Sequence, residues 1–430
     1  MYYVLLLVFI LFSTIHCQEY KLEFVQALWR HGARAALSPL YPIYEDDWVF
    51  GGGGYGALTP DGMAQMHLLG DVIRQRYVIE TKLMAEKYNS NQIYIRSTNV
   101  NRTIISAMSM LYALYPPGEW SQSGIDYPSN VAKWQPGLTF IPIHIDGFDD
   151  CATNQYCPCP RNEELSDLRN KLDEVIEAEN ELTKFTQELI VNLTRISANF
   201  TDRELEFWPD SLHCQRREFN STLYEKCSWY SEEFYQKSQR LAAPSKGFYE
   251  GYFSKNSTID GIDIAKEVRV LQAGPLLNEI RDRGVGKLNC RENCAGFYKN
   301  IKFYGYSSHD QTIYALLVVF GLQNVTATLD SWPDFSAALF FEFYRNPGNE
   351  SFFQMLYRAN DTSTITPISG DIPGCNGQSI CPIEVFNQVA DFYKPLPDIN
   401  TLCNTPLHSS TSNPISILIV LCISALYHIY

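Results

Sequence analysis

Three times along the chain a short apolar run breaks into a polar loop and then into helical spacing. Leu22-Glu23-Phe24-Val25-Gln26-Ala27-Leu28-Trp29 reads as a buried strand that delivers Arg30-His31-Gly32-Ala33-Arg34. Thr59 is placed to cap a helix with Pro60 at its first position. Met63, Met66, Leu69, Val72, Ile73 and Tyr77 then recur on one face, so the helix is expected to reach about Tyr77. A second strand, Ile93-Tyr94-Ile95, runs into Arg96 and the polar stretch 97–103, followed by a helix over 104–114 that Pro116-Pro117 ends. The third, Lys302-Phe303-Tyr304-Gly305-Tyr306, ends in Ser307-Ser308-His309-Asp310, and a helix over 311–320 with Gly321 as its C-cap follows. Segments 337–344 and 352–357 form a predicted hairpin around Asn346-Pro347-Gly348-Asn349.

The middle of the chain has another rhythm. Leu165, Leu168, Leu172, Val175 and Ile176, then Leu182, Phe185, Leu189 and Leu193, recur at helical spacing. This predicts a mainly helical cap, 141–259, inserted into an α/β domain built from 18–140 and 260–403. Both ends are apolar. The run 3–13 before Ile15-His16-Cys17 resembles a secretory signal peptide over 1–17, although a basic amino-terminal region is nearly absent. Residues 404–430 read as a polar spacer and an apolar anchor signal. The run 415–430 follows Ser409-Ser410-Thr411-Ser412-Asn413 and lacks a basic tail, which suits glycosylphosphatidylinositol attachment better than a short transmembrane span.

A formal charge of −14 argues against nucleic acid as a partner, because a phosphate backbone needs a broad basic face. Any anion site must be local. Of 12 cysteines, Cys17 and Cys422 fall in the apolar ends, and the remaining even number suits disulfides in an oxidising compartment. The spacings of Cys157/Cys159, Cys290/Cys294 and Cys375/Cys381 do not suit zinc, and no metal or other cofactor is expected. Sequons at Asn192, Asn199, Asn220, Asn256, Asn324, Asn349 and Asn360 point to a secretory-pathway glycoprotein, whereas the one at Asn101 lies beside the candidate site and is expected to stay unmodified.

Arginine offers a fork of donors matched to phosphate oxygens, and a neutral imidazole is a nucleophile able to accept a phosphoryl group. Arg30-His31-Gly32-Ala33-Arg34 therefore reads as a phosphate loop, with Arg96, Arg102 and His309-Asp310 at the ends of the other two strands, where α/β sheets bind ligands. His67 sits in a helical pattern and His144 in an apolar run, so both read as structural. His213 adjoins Cys214 without cationic company.

Arg30-His31-Gly32-Ala33-Arg34, the block from Arg96-Ser97-Thr98 to Arg102-Thr103, and His309-Asp310, in this order and spacing, resemble the histidine acid phosphatases. The likeness is to the branch with prostatic and lysosomal acid phosphatases, related to phytases, and covers most of the chain between its apolar ends. It implies a phosphoglycerate-mutase-like α/β domain with an inserted, mainly helical cap. It also implies hydrolysis of small phosphate monoesters without a metal: His31 attacks phosphorus, Arg30, Arg34, Arg102 and His309 hold its oxygens, and Asp310, protonated at acid pH, donates to the leaving alcohol. An inositol-phosphate phosphatase on the same fold and a silent surface glycoprotein acting as a binding module are the alternatives. A homodimer, and a cell-surface or lysosomal location, are further expectations. The chain departs from the family at Ala36, where Pro is usual, at Asn99 for Asp, and at Met66, with His67 one place beyond the usual His. The resemblance also implies bridges Cys375–Cys381 and Cys159–Cys403. It leaves Cys214 without its customary partner near Phe335, with Cys227, Cys290 and Cys294 as substitutes.

Overall fold

The computed structural model describes residues 20–118, 120–145, 147, 158–196, 207–291, 294–326 and 332–407. An eight-stranded mixed sheet organises it. The strands are β1 (Lys21–Arg30), β2 (Ile93–Ser97), β3 (His144–Ile145), β6 (Phe303–Ser308), β7 (Ala338–Arg345), β8 (Ser351–Arg358), β9 (Thr366–Pro367) and β10 (Cys381–Pro382). Their order is β10-β8-β7-β1-β6-β2-β3, with β9 also on β8. A separate two-stranded ribbon pairs β4 (Thr258–Ile259) with β5 (Ile262–Asp263).

The central strand arrives late in the chain. β6 lies between β1 and β2, parallel to both, with Trp29 and Ser97 each opposite Ser307. The three strands therefore finish at one edge. β7 runs antiparallel to β1, Ala338 opposite Trp29, so the loop entering β7 starts at that edge too. The expected hairpin is present, β7 with β8 from Arg345↔Ser351 to Ala338↔Arg358, and Asn349 in its turn has φ +65°.

Helices cover both faces. On one side α1 (Pro60–Arg74) and α2 (Asn101–Leu114) place Met66, Leu69, Ile73 and Met110 on Val25, Ala27, Trp29, Ile95 and Phe340. On the other, α8 (Gly274–Asn289), α10 (Asp310–Val319) and α11 (Ile383–Phe392) place Leu277, Ile280, Leu316 and Phe386 on Phe24, Leu28, Tyr304 and Phe341. Because both faces are covered, β1 is an apolar run rather than an alternation. Thr59 caps α1, its side chain accepting from the Gly62 amide, and the helix continues as a π-helical stretch, Gln75–Glu80. α2 begins earlier than its apolar spacing predicts: Val100 is extended and its carbonyl already accepts from the Thr103 and Ile104 amides, which draws Arg102 into the first turn.

Between β3 and β4 stand α3 (Pro160–Arg169), α4 (Asp173–Ile196), α5 (Trp208–Lys226) and α6 (Glu232–Tyr249). Phe185, Leu189, Leu193, Trp208, Leu212 and Leu223 form a core of their own with Leu40 and Tyr235. Leu165, Leu168 and Val175 instead pack with Val268 and Leu271 of α7 (Ile264–Gln272) and with Cys403 of α12 (Ile399–Cys403), α9 (Phe297–Asn300) lying before β6. Cys159–Cys403 and Cys375–Cys381 are bridged as the resemblance implies. Cys290 and Cys294 bridge each other and so do not serve as partners for Cys214; Cys214 and Cys227 are buried thiols. These bridges mark a chain that matures in an oxidising compartment. No helix among the described residues is long and apolar enough to cross a membrane, and the terminal segments 1–17 and 415–430 lie outside them.

Candidate active site

The common edge of β1, β6 and β2 gathers the residues singled out in the sequence. His31 follows β1, its amide donating to the Ser308 carbonyl at 3.2 Å, and the loop after it lies against the first turn of α1. Gly32 and Gly62 are required there by contact: a Cβ on Gly32 would stand 2.1 Å from the Gly62 carbonyl oxygen, and one on Gly62 2.1 Å from that of Ala33. The Gly32 amide donates to Ser106 Oγ (3.2 Å) and the Ala33 amide to Gln65 Oε1 (2.8 Å). Ala36, where the family has Pro, is fully buried and its carbonyl accepts from Gly56. The loop is held without the ring.

His31 is 2% exposed. Its Nδ1 is 2.8 Å from the Gly32 carbonyl, which can only accept, so Nδ1 carries the proton and the Nε2 lone pair remains. Burial, and after it the charges of Arg102, Arg30, Arg34 and His309, hold the imidazole well below its ordinary pKa. His309 stands with its ring 5.6 Å from that of His31, Nε2 3.1 Å from Thr98 Oγ1, pushed down to about 3 by burial and Arg102. Burial and the surrounding cations bias both imidazoles towards the neutral form.

The guanidiniums are aimed by partners. Arg30 Nη2 meets Asp310 Oδ2 at 2.9 Å, and its Nη1 donates to the Pro333 carbonyl at 2.8 Å. Arg34 forks onto Asp210 of α5 at 2.8 and 3.0 Å, with Nη1 also 3.3 Å from Cys214 Sγ. Nε of Arg30 and Nε of Arg34 are buried with no acceptor among the described residues, so each guanidinium keeps a donor for a ligand. Arg102, also buried, projects from the first turn of α2. The structure thus brings together Arg30, His31, Arg34, Arg102, His309 and Asp310.

Arg96 turns away to Glu279 on the other face, at 3.0 Å. His67 lies on the outer side of α1, 3.2 Å from Asp71, and Met66 is buried core. His144 is exposed at the sheet edge, stacked 4.0 Å from Tyr94. His213 corrects the sequence expectation. It lies within the fields of Asp334, Arg30, Asp210 and Lys246, its Nδ1 is 2.8 Å from Tyr235 Oη, and burial leaves it at about 4.

Asp310 is subject to opposed influences. Burial raises its carboxyl, but Arg30, the Trp332 hydrogen bond, Arg34 and His309 together hold it well below the carboxylate range. The site as described keeps it ionised rather than protonated at acid pH. Sequence reasoning also missed Asp210, Trp332, Phe335 and Glu250. Asp210 and Glu250 come from the segment between β3 and β4 and Trp332 and Phe335 from the loop before β7, with no motif around them. Glu250 is a buried carboxyl pushed up to about 8 by burial and by Asp310, with Arg169 opposing.

The family model for the histidine phosphatase superfamily (branch 2) matches residues 21–358. The chain belongs to that superfamily. It is 48% identical over 391 residues, 89% of its own length and 94% of the other's, to a Caenorhabditis elegans protein named "Putative acid phosphatase 10". It is 31% identical to human prostatic acid phosphatase, covering 90% of this chain and 88% of that one. Among solved structures, a Citrobacter braakii phytase aligns with a TM-score of 0.58 at 15% identity, covering 89% of this chain and 99% of that one, a likeness of fold alone. This histidine phosphatase accordingly joins the phosphoric monoester hydrolases.

Proposed function

We propose that the protein hydrolyses small phosphate monoesters in acid through a phosphohistidine on His31. The observation that carries this is the His31 ring: its Nδ1 proton is committed to the Gly32 carbonyl and its Nε2 lone pair stands in the field of Arg30, Arg34 and Arg102. These cations would hold the phosphate oxygens, with His309 beside them, and lower the charge barrier to attack. A depressed pKa keeps the nucleophile unprotonated where a free imidazole would carry a proton.

In the first step Nε2 forms a bond to phosphorus while the P–O ester bond breaks, and the departing oxygen takes a proton from the Asp310 carboxyl. In the second, water attacks phosphorus, gives its proton to the Asp310 carboxylate, and the P–N bond breaks to release inorganic phosphate. The ionised Asp310 of the free site fits this sequence. An anionic phosphate bound to the same guanidiniums opposes the field that holds the carboxyl down, so it can take up the proton a substrate monoanion brings. We further propose that the protein is exported and glycosylated, which the disulfides and sequons support, and held at a membrane by its C-terminal signal, for which the apolar run 415–430 after a small polar stretch speaks.

The test is phosphate release from p-nitrophenyl phosphate, an alkyl phosphate and an inositol polyphosphate across pH, with EDTA present. Turnover in EDTA that His31→Ala abolishes, with phosphate still bound, is the expected result. A phosphoenzyme trapped by rapid quench in His31→Ala excludes His31 as the nucleophile.

A further inference from the structure

We propose that Phe335 is a positioning residue that aims the Arg30 guanidinium, the group that meets both Asp310 and, on the reading above, the substrate phosphate. Arg30 leaves the end of β1 with its amide donating to the Ala337 carbonyl at 2.9 Å, so its side chain enters the space beneath the loop before β7. One edge of the guanidinium is fixed by Pro333 and Asp310. Its flat face is fixed by Phe335, whose ring centre is 4.2 Å from Cζ. Two edge contacts leave a planar group free to tilt, and a ring against its face removes that freedom.

The same ring abuts the nucleophile. The Phe335 ring lies 6.0 Å from the His31 ring and 5.2 Å from that of His213. It therefore sets the separation between the clamp and the attacking imidazole. Phe335 is itself held rigidly, fully buried with Ala33, Ala35, Trp48 and Cys214. Its amide donates to Asp334 Oδ1 at 2.7 Å. The next residue, Ser336, has φ +57°, a left-handed conformation that costs a non-glycine residue roughly what one good contact returns. That conformation is maintained from both sides: the Ser336 amide donates to the His31 carbonyl at 3.2 Å, and its carbonyl accepts from Arg358, 1% exposed, at 3.4 Å. A loop that only filled space could take an ordinary conformation. This one is strained into presenting an aromatic face to Arg30.

The experiment compares Phe335→Leu, which keeps bulk but removes the π face, with Phe335→Tyr, which keeps it. Both are made alone and in an Arg30→Met background, with folding checked by melting temperature. We expect Phe335→Leu to lower kcat/KM for p-nitrophenyl phosphate about 10-fold or more and to weaken inorganic phosphate inhibition similarly, while Phe335→Tyr stays within about 3-fold of the parent. In Arg30→Met, adding Phe335→Leu should change neither quantity beyond about 2-fold, since a residue acting through Arg30 has nothing left to aim. Full multiplication of the two losses, or a folded Phe335→Leu with unchanged constants, overturns the proposal. If Phe335→Leu does not fold, Phe335→Met carries the same comparison. Normal turnover in Arg30→Met would instead remove Arg30 from the clamp, a failure of the functional reading that the parent and single-variant rates distinguish from a failure of Phe335.

Discussion

Replacing Glu250 by Gln should remove one contribution that lowers the stability of this protein as pH rises from acid to neutral. Glu250 follows α6, is 4% exposed and faces the charges of Asp310 and Arg169; burial first and Asp310 second push it up to about 8. The sign follows from linkage. A carboxyl whose pKa is raised in the folded state keeps its proton after the unfolded chain has lost one. Stability therefore falls as pH rises from about 4.5 to about 8 and levels off beyond. Over that interval the difference is on the order of 3–5 kcal/mol, at about 1.4 kcal/mol for each unit. For a chain of 430 residues with an unfolding entropy near 0.9 kcal/mol/K, this corresponds to about 3–6 °C in melting temperature. Other groups work in the opposite direction: His309 and His213, both lowered, lose stability as pH falls below about 6.5. The informative quantity is thus the difference between Glu250→Gln and the parent, measured by calorimetry at half-unit steps from pH 4.5 to 8. The amide mimics the protonated acid, so the two proteins should melt together near pH 4.5 and separate by several degrees at pH 8. Adding Asp310→Asn should shrink that separation, because the neighbouring charge is gone. Parallel curves would show that Glu250 ionises normally and that its burial is relieved by contacts other than a retained proton.

Asp310→Asn should slow an alkyl phosphate about 10²–10⁴-fold while slowing p-nitrophenyl phosphate far less, since a stable phenolate leaves without a proton; equal slowing in a variant of unchanged melting temperature removes Asp310 from the acid role. Asp210→Asn breaks the bidentate pair to Arg34 and should cost on the order of 3 kcal/mol, about 3 °C here, with saturating phosphate restoring more of the melting temperature than it adds to the parent; equal phosphate shifts in both proteins contradict Asp210 as the charge that balances the buried Arg34. Phosphatidylinositol-specific phospholipase C should release activity from membranes, and a mature protein that still contains residues 415–430 rules this out.

What the chain alone determined is local. Strand β1 with its following loop, the Thr59-Pro60 helix start, the strand-to-helix passage around His309-Asp310 and the β7–β8 hairpin were legible because capping, turn chemistry and apolar spacing act within a few residues. The histidine and arginines of the site were legible because their motifs are contiguous. Partners were not. Asp210 stands 176 residues from Arg34, and Phe335 lies at a loop whose sequence carries no pattern; their roles exist because β6 inserts between β1 and β2 and the fold brings α5 to Arg34 after β1. Protonation was likewise decided by tertiary structure. Asp310 reads as an acid in isolation, but the free site holds it as a carboxylate because Arg30 lies 2.9 Å away, while Glu250, an ordinary surface residue by composition, is driven towards its neutral form by burial and by Asp310 itself. Coulomb and desolvation energies depend on distance and burial, and neither is written in the order of residues along the chain.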